Sequence, residues 1–285
     1  MVIGLIGHPV AHSKSPLMQN AAFAHAGLHD CHYELWDTPL DELPARMTTI
    51  REREDIAGCN VTIPHKQNVM PHLDAISEHA KAIGAVNTVF KPPPSPPTPL
   101  SGREGKLVGD NTDWIGWLND AQWHGVNMGE VKRALVLGAG GSARAIVYAL
   151  VQCGAEVMIV NRDAERAVKL ASDFGAAGAG LSEIAAYARD AQPQLIVNCT
   201  SAGMWPNENT SPWPDAAPFP TNAVLYDLVY KPRITRLIRQ AEHAGARAIG
   251  GIGMLAEQGA AAFEKWTGVP AQRVSAIMRD ALNSA

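Results

Sequence analysis

The residues able to do chemistry in this chain fall into two groups. One is the glycine cluster Gly138-Ala139-Gly140-Gly141-Ser142-Ala143. It follows a short apolar run at 135–137 and leads into Ala143, Ile146, Val147 and Leu150, which recur at helical spacing. Strand, glycine turn and helix in that order are the context in which a G-x-G-x-x-G/A pattern binds a dinucleotide. Glycines let the backbone approach a pyrophosphate, and unpaired N–H groups at the helix start receive its negative charge. Ala143 in the third slot lets the helix sit tightly on the strand. Without a ligand the same pattern is a plain strand-to-helix turn.

The second group is a set of polar side chains at predicted strand ends in the first half. In Asn60-Val-Thr62-Ile-Pro64-His-Lys66, Val61 and Ile63 alternate with Asn60, Thr62 and Pro64. That predicts a strand breaking at the proline, with Asn60 and Thr62 on one face. Lys66 lies just past its carboxyl end, the side on which open α/β sheets bind ligands. A loop lysine is otherwise a solvated surface charge. Asn87 and Thr88 lie in a further strand over 84–90. Asp113 opens a helix whose apolar residues, Trp114, Trp117, Leu118 and Ala121, fall at i, i+3, i+4 and i+7. A carboxylate there is either an N-cap or a functional group. In the loop over 7–16, Ser15 is placed as an N-cap with Pro16 at the first helical position, leaving Ser13 to face a ligand. His8 and His12 are four apart, but Pro9 and the loop context argue against a helical metal pair. Gln258 lies off the apolar stripe Leu255, Ala262, Phe263 and Trp266 of the last long helix, either solvated or turned to a ligand.

The elements that must position these groups alternate between strand and helix patterns, an α/β chain. At 285 residues it is long enough for two domains. Hydrophobic content of 46% with 18% charged residues suits a globular protein. A net charge of −4 without a long basic run excludes nucleic acid as an expected partner. No apolar span is long enough for a bilayer. The N-terminus, Met1-Val-Ile-Gly-Leu-Ile-Gly7, lacks the charged region of a signal peptide and reads as a strand. Cys31, Cys59, Cys153 and Cys199 form no C-x-x-C, consistent with reduced thiols in the cytoplasm. Proline-rich residues 91–99 predict an exposed hairpin tip, and 206–220 an irregular excursion.

Beyond the glycine turn, the strand over 156–160 ends at Asn161-Arg162-Asp163, with Arg166 close behind. This is the place for the adenosine ribose, 23 residues past Gly138. An acid here holds the ribose 2′-hydroxyl of NAD, whereas arginines accommodate the 2′-phosphate of NADP. Guanidinium groups pair with phosphate in a planar fork, so Arg162 and Arg166 favour NADP. Asp163 is the competing signal. A strand at 195–198 opens into the small-residue loop Cys199-Thr-Ser-Ala-Gly-Met204, a suitable floor for the nicotinamide.

Taken together, the motifs resemble the shikimate and quinate dehydrogenase family over almost the whole chain. They are His12-Ser13-Lys14-Ser15-Pro16, Asn60-Val-Thr62-Ile-Pro-His-Lys66, Gly84-Ala-Val-Asn87-Thr88, Gly109-Asp-Asn-Thr-Asp113-Trp-Ile-Gly116, Gly138-Ala-Gly-Gly-Ser-Ala-Arg144, Asn161-Arg162, Asn198-Cys-Thr-Ser-Ala-Gly-Met204, Tyr226-Asp-Leu-Val-Tyr230 and Gly251-Ile-Gly-Met-Leu-Ala-Glu-Gln258. The resemblance implies reversible reduction of 3-dehydroshikimate to shikimate with NADPH, a step towards chorismate and the aromatic amino acids. The alternative within the family is an NAD-dependent quinate or dual-specificity enzyme. Carried over by motif, Lys66 and Asp113 are the catalytic pair. Ser13, Ser15, Thr62, Asn87 and Gln258 would hold the substrate's carboxylate and hydroxyls, with Asn60 and Tyr226 building the pocket. Gly138, Ala139, Gly140, Gly141, Ser142, Asn161, Arg162, Arg166, Gly251 and Glu78 would contact the cofactor, and no metal is expected. Departures from the family pattern are Lys14, Gln19 and Asp163, none at a catalytic position, and residues 92–99 resemble an insertion. The implied fold is an N-terminal α/β substrate domain at 1–126, completed by helices at 253–285, and a Rossmann-like NADP domain at 127–252. The active site would lie in the cleft between them, in a monomer or homodimer.

Overall fold

Apolar runs punctuated by turn residues build two six-stranded sheets in this computed structural model, which describes residues 1–92 and 106–284. Most of the proline-rich stretch expected as a hairpin tip lies outside the described residues. The chain divides into two compact units, Met1–Gly116 with Leu255–Ala285, and Trp117–Met254. The first division falls between Gly116 and Trp117, inside a helix.

In the first unit the order is β1 (Val2–Gly7), α1 (Ser15–His25), β2 (His32–Asp37), α2 (Leu43–Glu52), β3 (Ile56–Val61) and α3 (His65–Asn68). Then follow β4 (Ala75–Ile76), α4 (Glu78–Ile83), β5 (Thr88–Phe90), β6 (Val108–Asp110) and the start of α5 (Asp113–Trp123). The sheet order is β2-β1-β3-β5-β6-β4. β1 is buried along its length and pairs in parallel with β2 and β3, while β5 runs antiparallel to β3 and β6. A strand covered on both faces reads as a continuous apolar run, as Val2-Ile-Gly-Leu-Ile does. The strand expected over 84–90 is shorter because α4 ends on Gly84 in the left-handed conformation, φ +69°. Residues 84–87 are consequently a turn rather than part of the ladder.

The helix after β1 corrects one reading. Ser15 is the first residue of α1 rather than its cap; Lys14 occupies the cap position, and its own side chain makes no capping hydrogen bond. Ser13 does the local work, its Oγ accepting the Ser15 N–H at 3.2 Å and donating to Ser15 Oγ at 3.1 Å. Pro16 still costs nothing one place further in, since the first-turn N–H groups have no intrahelical acceptor.

The second unit carries β7 (Arg133–Leu137), α6 (Gly141–Gln152), β8 (Glu156–Asn161), α7 (Ala164–Phe174), β9 (Ala177–Gly180) and α8 (Ile184–Ala191). β10 (Leu195–Asn198), β11 (Val224–Asp227), α9 (Arg236–His243) and β12 (Arg247–Gly250) complete it. All strands are parallel, in the order β12-β11-β10-β7-β8-β9. Counted from β7, that is the doubly wound 3-2-1-4-5-6 arrangement, whose order reverses between β7 and β10. Residues 206–220 are irregular in backbone, as expected, yet they reach the core. Trp213 and Phe219 are buried with rings 4.5 Å apart, and Trp213 Nε1 donates to the Ala217 carbonyl.

α10 (Ile252–Thr267) and α11 (Ser275–Asn283) return to the first unit. There Phe263 meets Phe23 at 5.0 Å, Trp266 Nε1 donates to the Val89 carbonyl, and Gln19 Nε2 donates to the Gly259 carbonyl.

Candidate active site

Lys66 and Asp113, 47 positions apart, meet in the first unit: Lys66 Nζ donates to Asp113 Oδ2 at 2.6 Å. Their side chains are only 12% and 6% exposed, so water screens the pair weakly. Both are pinned through their backbones. Lys66 follows His65, whose fully buried ring donates from Nε2 to the Thr38 carbonyl at 2.6 Å. The Lys66 carbonyl accepts the Val86 N–H at 2.7 Å. Asp113 begins α5, its N–H held by Asn111 Oδ1, while Asn111 Nδ2 donates to the Ala85 carbonyl. The turn over 84–87 thus anchors both partners.

Asn87 from that turn completes the cluster. Its Oδ1 accepts the Thr112 N–H at 2.7 Å, which fixes the amide so that Nδ2 faces Asp113 Oδ1 at 2.8 Å. The same Nδ2 lies 3.3 Å from Gln258 Oε1. Gln258 is buried rather than solvated; it can approach because residue 116 of α5 is glycine, where a Cβ would sit 2.7 Å from the Gln258 Cα. Asn60 Nδ2 donates to the Asn87 carbonyl and Thr88 Oγ1, both at 3.2 Å, and its Oδ1 accepts from Tyr33 Oη at 2.7 Å. Asn60 is therefore committed to framing Asn87. Burial pushes the Tyr33 phenol well above its usual range, so it stays a donor. Thr62 is half-buried in the turn before α3, with its N–H on the Ile6 carbonyl.

Tyr226 belongs to the second unit. It lies within β11, 0% exposed, edge-on to Trp117, with its hydroxyl donating to the buried Asp120 at 2.5 Å. A side chain enclosed in that way builds the core rather than a pocket. The tyrosine of this segment with exposed surface is Tyr230, beyond the strand's carboxyl end. Sequence reasoning also passed over Thr112 and Gly116. Their signal was spacing alone: each sits within four residues of Asp113, and neither type is chemically suggestive.

At the carboxyl end of β7, Gly138 has φ +107°, and its N–H bonds the Val160 carbonyl. A Cβ there would press on Thr200 Cγ2 at 3.1 Å and the Cys199 carbonyl carbon at 3.2 Å. Gly138 thus lies between the ends of β7 and β10, where the strand order reverses. Gly140 caps α6 without any side-chain acceptor, and a Cβ at Gly140 would meet open space. Ala139, Gly141 and Ser142 are partly exposed around it. This uncapped glycine cradle suits a pyrophosphate. Asn161 ends β8 and donates to the Asp163 carbonyl, while Arg162 and Arg166 are exposed. Gly251 follows β12, and a Cβ would overlap the Leu228 carbonyl. Glu78 is exposed in the first turn of α4, in the first unit, whereas the other residues read as cofactor contacts belong to the second. Among the described residues, no group of three or more His, Cys, Asp or Glu is placed to hold a metal ion.

A doubly wound sheet with a glycine turn at its switch point, in a chain carrying a buried lysine–carboxylate pair, defines a dinucleotide-dependent oxidoreductase. Family models match for the shikimate dehydrogenase substrate-binding domain at 5–89, shikimate/quinate 5-dehydrogenase at 124–210 and the shikimate 5′-dehydrogenase C-terminal domain at 251–282. The chain belongs to the shikimate dehydrogenase family. It is 41% identical over 275 residues to the shikimate dehydrogenase (NADP+) of Symbiobacterium thermophilum, covering 94% of this chain and 89% of that one. Against the enzyme of the same name from Thermus thermophilus it is 42% identical over 265 residues, covering 93% and 92%. The crystal structure of a Thermus thermophilus shikimate 5-dehydrogenase with NADP(H) and shikimate superposes with a TM-score of 0.84 at 38% identity, covering 99% of each chain.

Proposed function

We propose that this protein interconverts 3-dehydroshikimate and shikimate with NADP(H), a step towards chorismate and the aromatic amino acids. The observation that carries the reading is the buried Lys66–Asp113 contact, in a chain of this family. NADP(H), when bound at the glycine turn, supplies or accepts the hydride. Gly138 to Ser142 and the start of α6 would hold its pyrophosphate, and Arg162 and Arg166 its 2′-phosphate.

Lys66 and Asp113 handle the proton. As a hydride reaches the ketone carbon, the carbonyl electron pair moves onto oxygen, which takes a proton from the Lys66 ammonium. In the reverse direction the neutral amine removes the hydroxyl proton. Asp113 holds the Lys66 amine in place through the 2.6 Å contact, so the two side chains act on the proton together. Asn87 orients Asp113 by donating to its second oxygen, leaving Oδ2 to Lys66. Ser13, Ser15, Thr62, Asn87 and Gln258 supply donors and acceptors for the substrate's carboxylate and hydroxyls. A site built to satisfy such groups rejects analogues lacking them. The four cysteines are free thiols, which supports a cytoplasmic setting.

Initial rates with shikimate and quinate, each against NADP and NAD, test the reading. Turnover should be fastest for shikimate with NADP. Dominant turnover of quinate with NAD would replace this reading with that of a quinate dehydrogenase.

A further inference from the structure

Asp163 stands where an acid would select NAD, in a chain whose neighbouring arginines suit NADP. The geometry of the loop separates its two possible jobs. The last residue of β8, which the ribose-binding rule points to, is Asn161, and its Nδ2 is spent on the Asp163 carbonyl at 3.0 Å. Asp163 itself is the N-cap of α7. Its Oδ1 accepts the N–H of Glu165 at 3.1 Å and of Arg166 at 3.3 Å. That ties Oδ1 to its own helix and matches the ordinary geometry of an aspartate cap. The cap also orders the backbone of Arg166, one of the two guanidinium groups proposed for the 2′-phosphate.

We infer that Asp163 tunes cofactor choice by its charge alone: it caps α7, makes no bond to the ribose, and lowers the affinity that Arg162 and Arg166 give a 2′-phosphate. The inference rests on the NADP reading above. Asparagine caps a helix as well as aspartate does but carries no charge, so Asp163→Asn separates the two roles.

The probes are adenosine 2′,5′-bisphosphate and AMP, titrated calorimetrically into wild type, D163N and D163A, so that binding is read without turnover. At low salt D163N should bind the bisphosphate about three- to tenfold more tightly, the effect of removing one unit charge near a phosphate at an exposed site. AMP affinity should stay within about twofold, and the gain should shrink in high salt. D163N should keep its melting temperature, whereas D163A, which loses the cap, should melt about 2–4 °C lower. Weaker AMP binding by D163N would show that the carboxylate accepts a ribose hydroxyl and overturn the inference. An unchanged bisphosphate affinity at low salt would overturn it too. Equal wild-type affinity for the two nucleotides would instead sink the NADP reading, before any variant is compared.

Discussion

Replacing Asp113 by asparagine removes one charge and changes almost no volume, so its consequences can be worked out atom by atom. Asp113 accepts from Lys66 Nζ on one oxygen and from Asn87 Nδ2 on the other. Asn87 cannot turn over to help, because the Thr112 backbone N–H holds its oxygen. An asparagine at 113 has one acceptor oxygen for two fixed donors. Either orientation therefore sets an amide N–H₂ against a donor. The lost hydrogen bond to a charged group is worth about 1.5–3 kcal/mol. Removing the countercharge of the mostly buried Lys66 ammonium raises the total towards about 3–5 kcal/mol. In shikimate oxidation followed by NADPH absorbance, kcat should fall by about a hundredfold or more while KM stays within a few-fold. Lys66→Met should lose a similar factor. Because the pair acts as one unit, the double variant should be little worse than the poorer single one. A wild-type kcat in D113N, or losses that multiply in the double variant, would refute the reasoning.

Tyr226→Phe should lower stability by about 1–3 kcal/mol in denaturant titration, since it takes a donor from the fully buried Asp120. The KM for shikimate should not change; a tenfold rise with stability intact would return Tyr226 to the substrate site. The Arg51 guanidinium, helped by the Leu107 N–H, holds the Asp74 carboxyl below the usual carboxylate range. A lowered folded value means stability that is present above the ordinary carboxylate pKa and is lost as pH falls through the lowered one. Asp74→Asn should therefore flatten the acid side of the melting-temperature profile, and an unaltered acid slope would count against the pairing.

What could be read from the sequence was what depends on local pattern. The strand, glycine turn and helix at 133–152 appear where their spacing put them, because a fully buried parallel strand and an amphipathic helix each leave a periodic trace. Polar residues at strand ends were visible as interruptions of that trace, and Lys66 and Asp113 were among them. Their partners were less visible. Asn60 and Asn87 look alike in sequence, and only the three-dimensional hydrogen bonds separate the one that frames from the one that orients. A tyrosine in a strand has the same signature whether its hydroxyl meets a ligand or, as at Tyr226, a buried aspartate. Ser15 was misplaced by one position, within the ordinary uncertainty of a helix start. Gln258 depended on Gly116, and a close helix approach leaves no periodic mark.

The first unit is closed by residues that follow the whole of the second: Gly259 takes the Gln19 amide, Trp266 reaches Val89, and Gln258 sits beside Asn87. During synthesis on a ribosome, the uninterrupted second unit has all of its strands before those contacts exist. The usual order, in which the amino-terminal part matures first, is thus inverted. A chain arrested before Leu255 would own a finished nucleotide fold and the Lys66 and Asp113 side chains, but would lack Gln258 and the helices that complete the first unit.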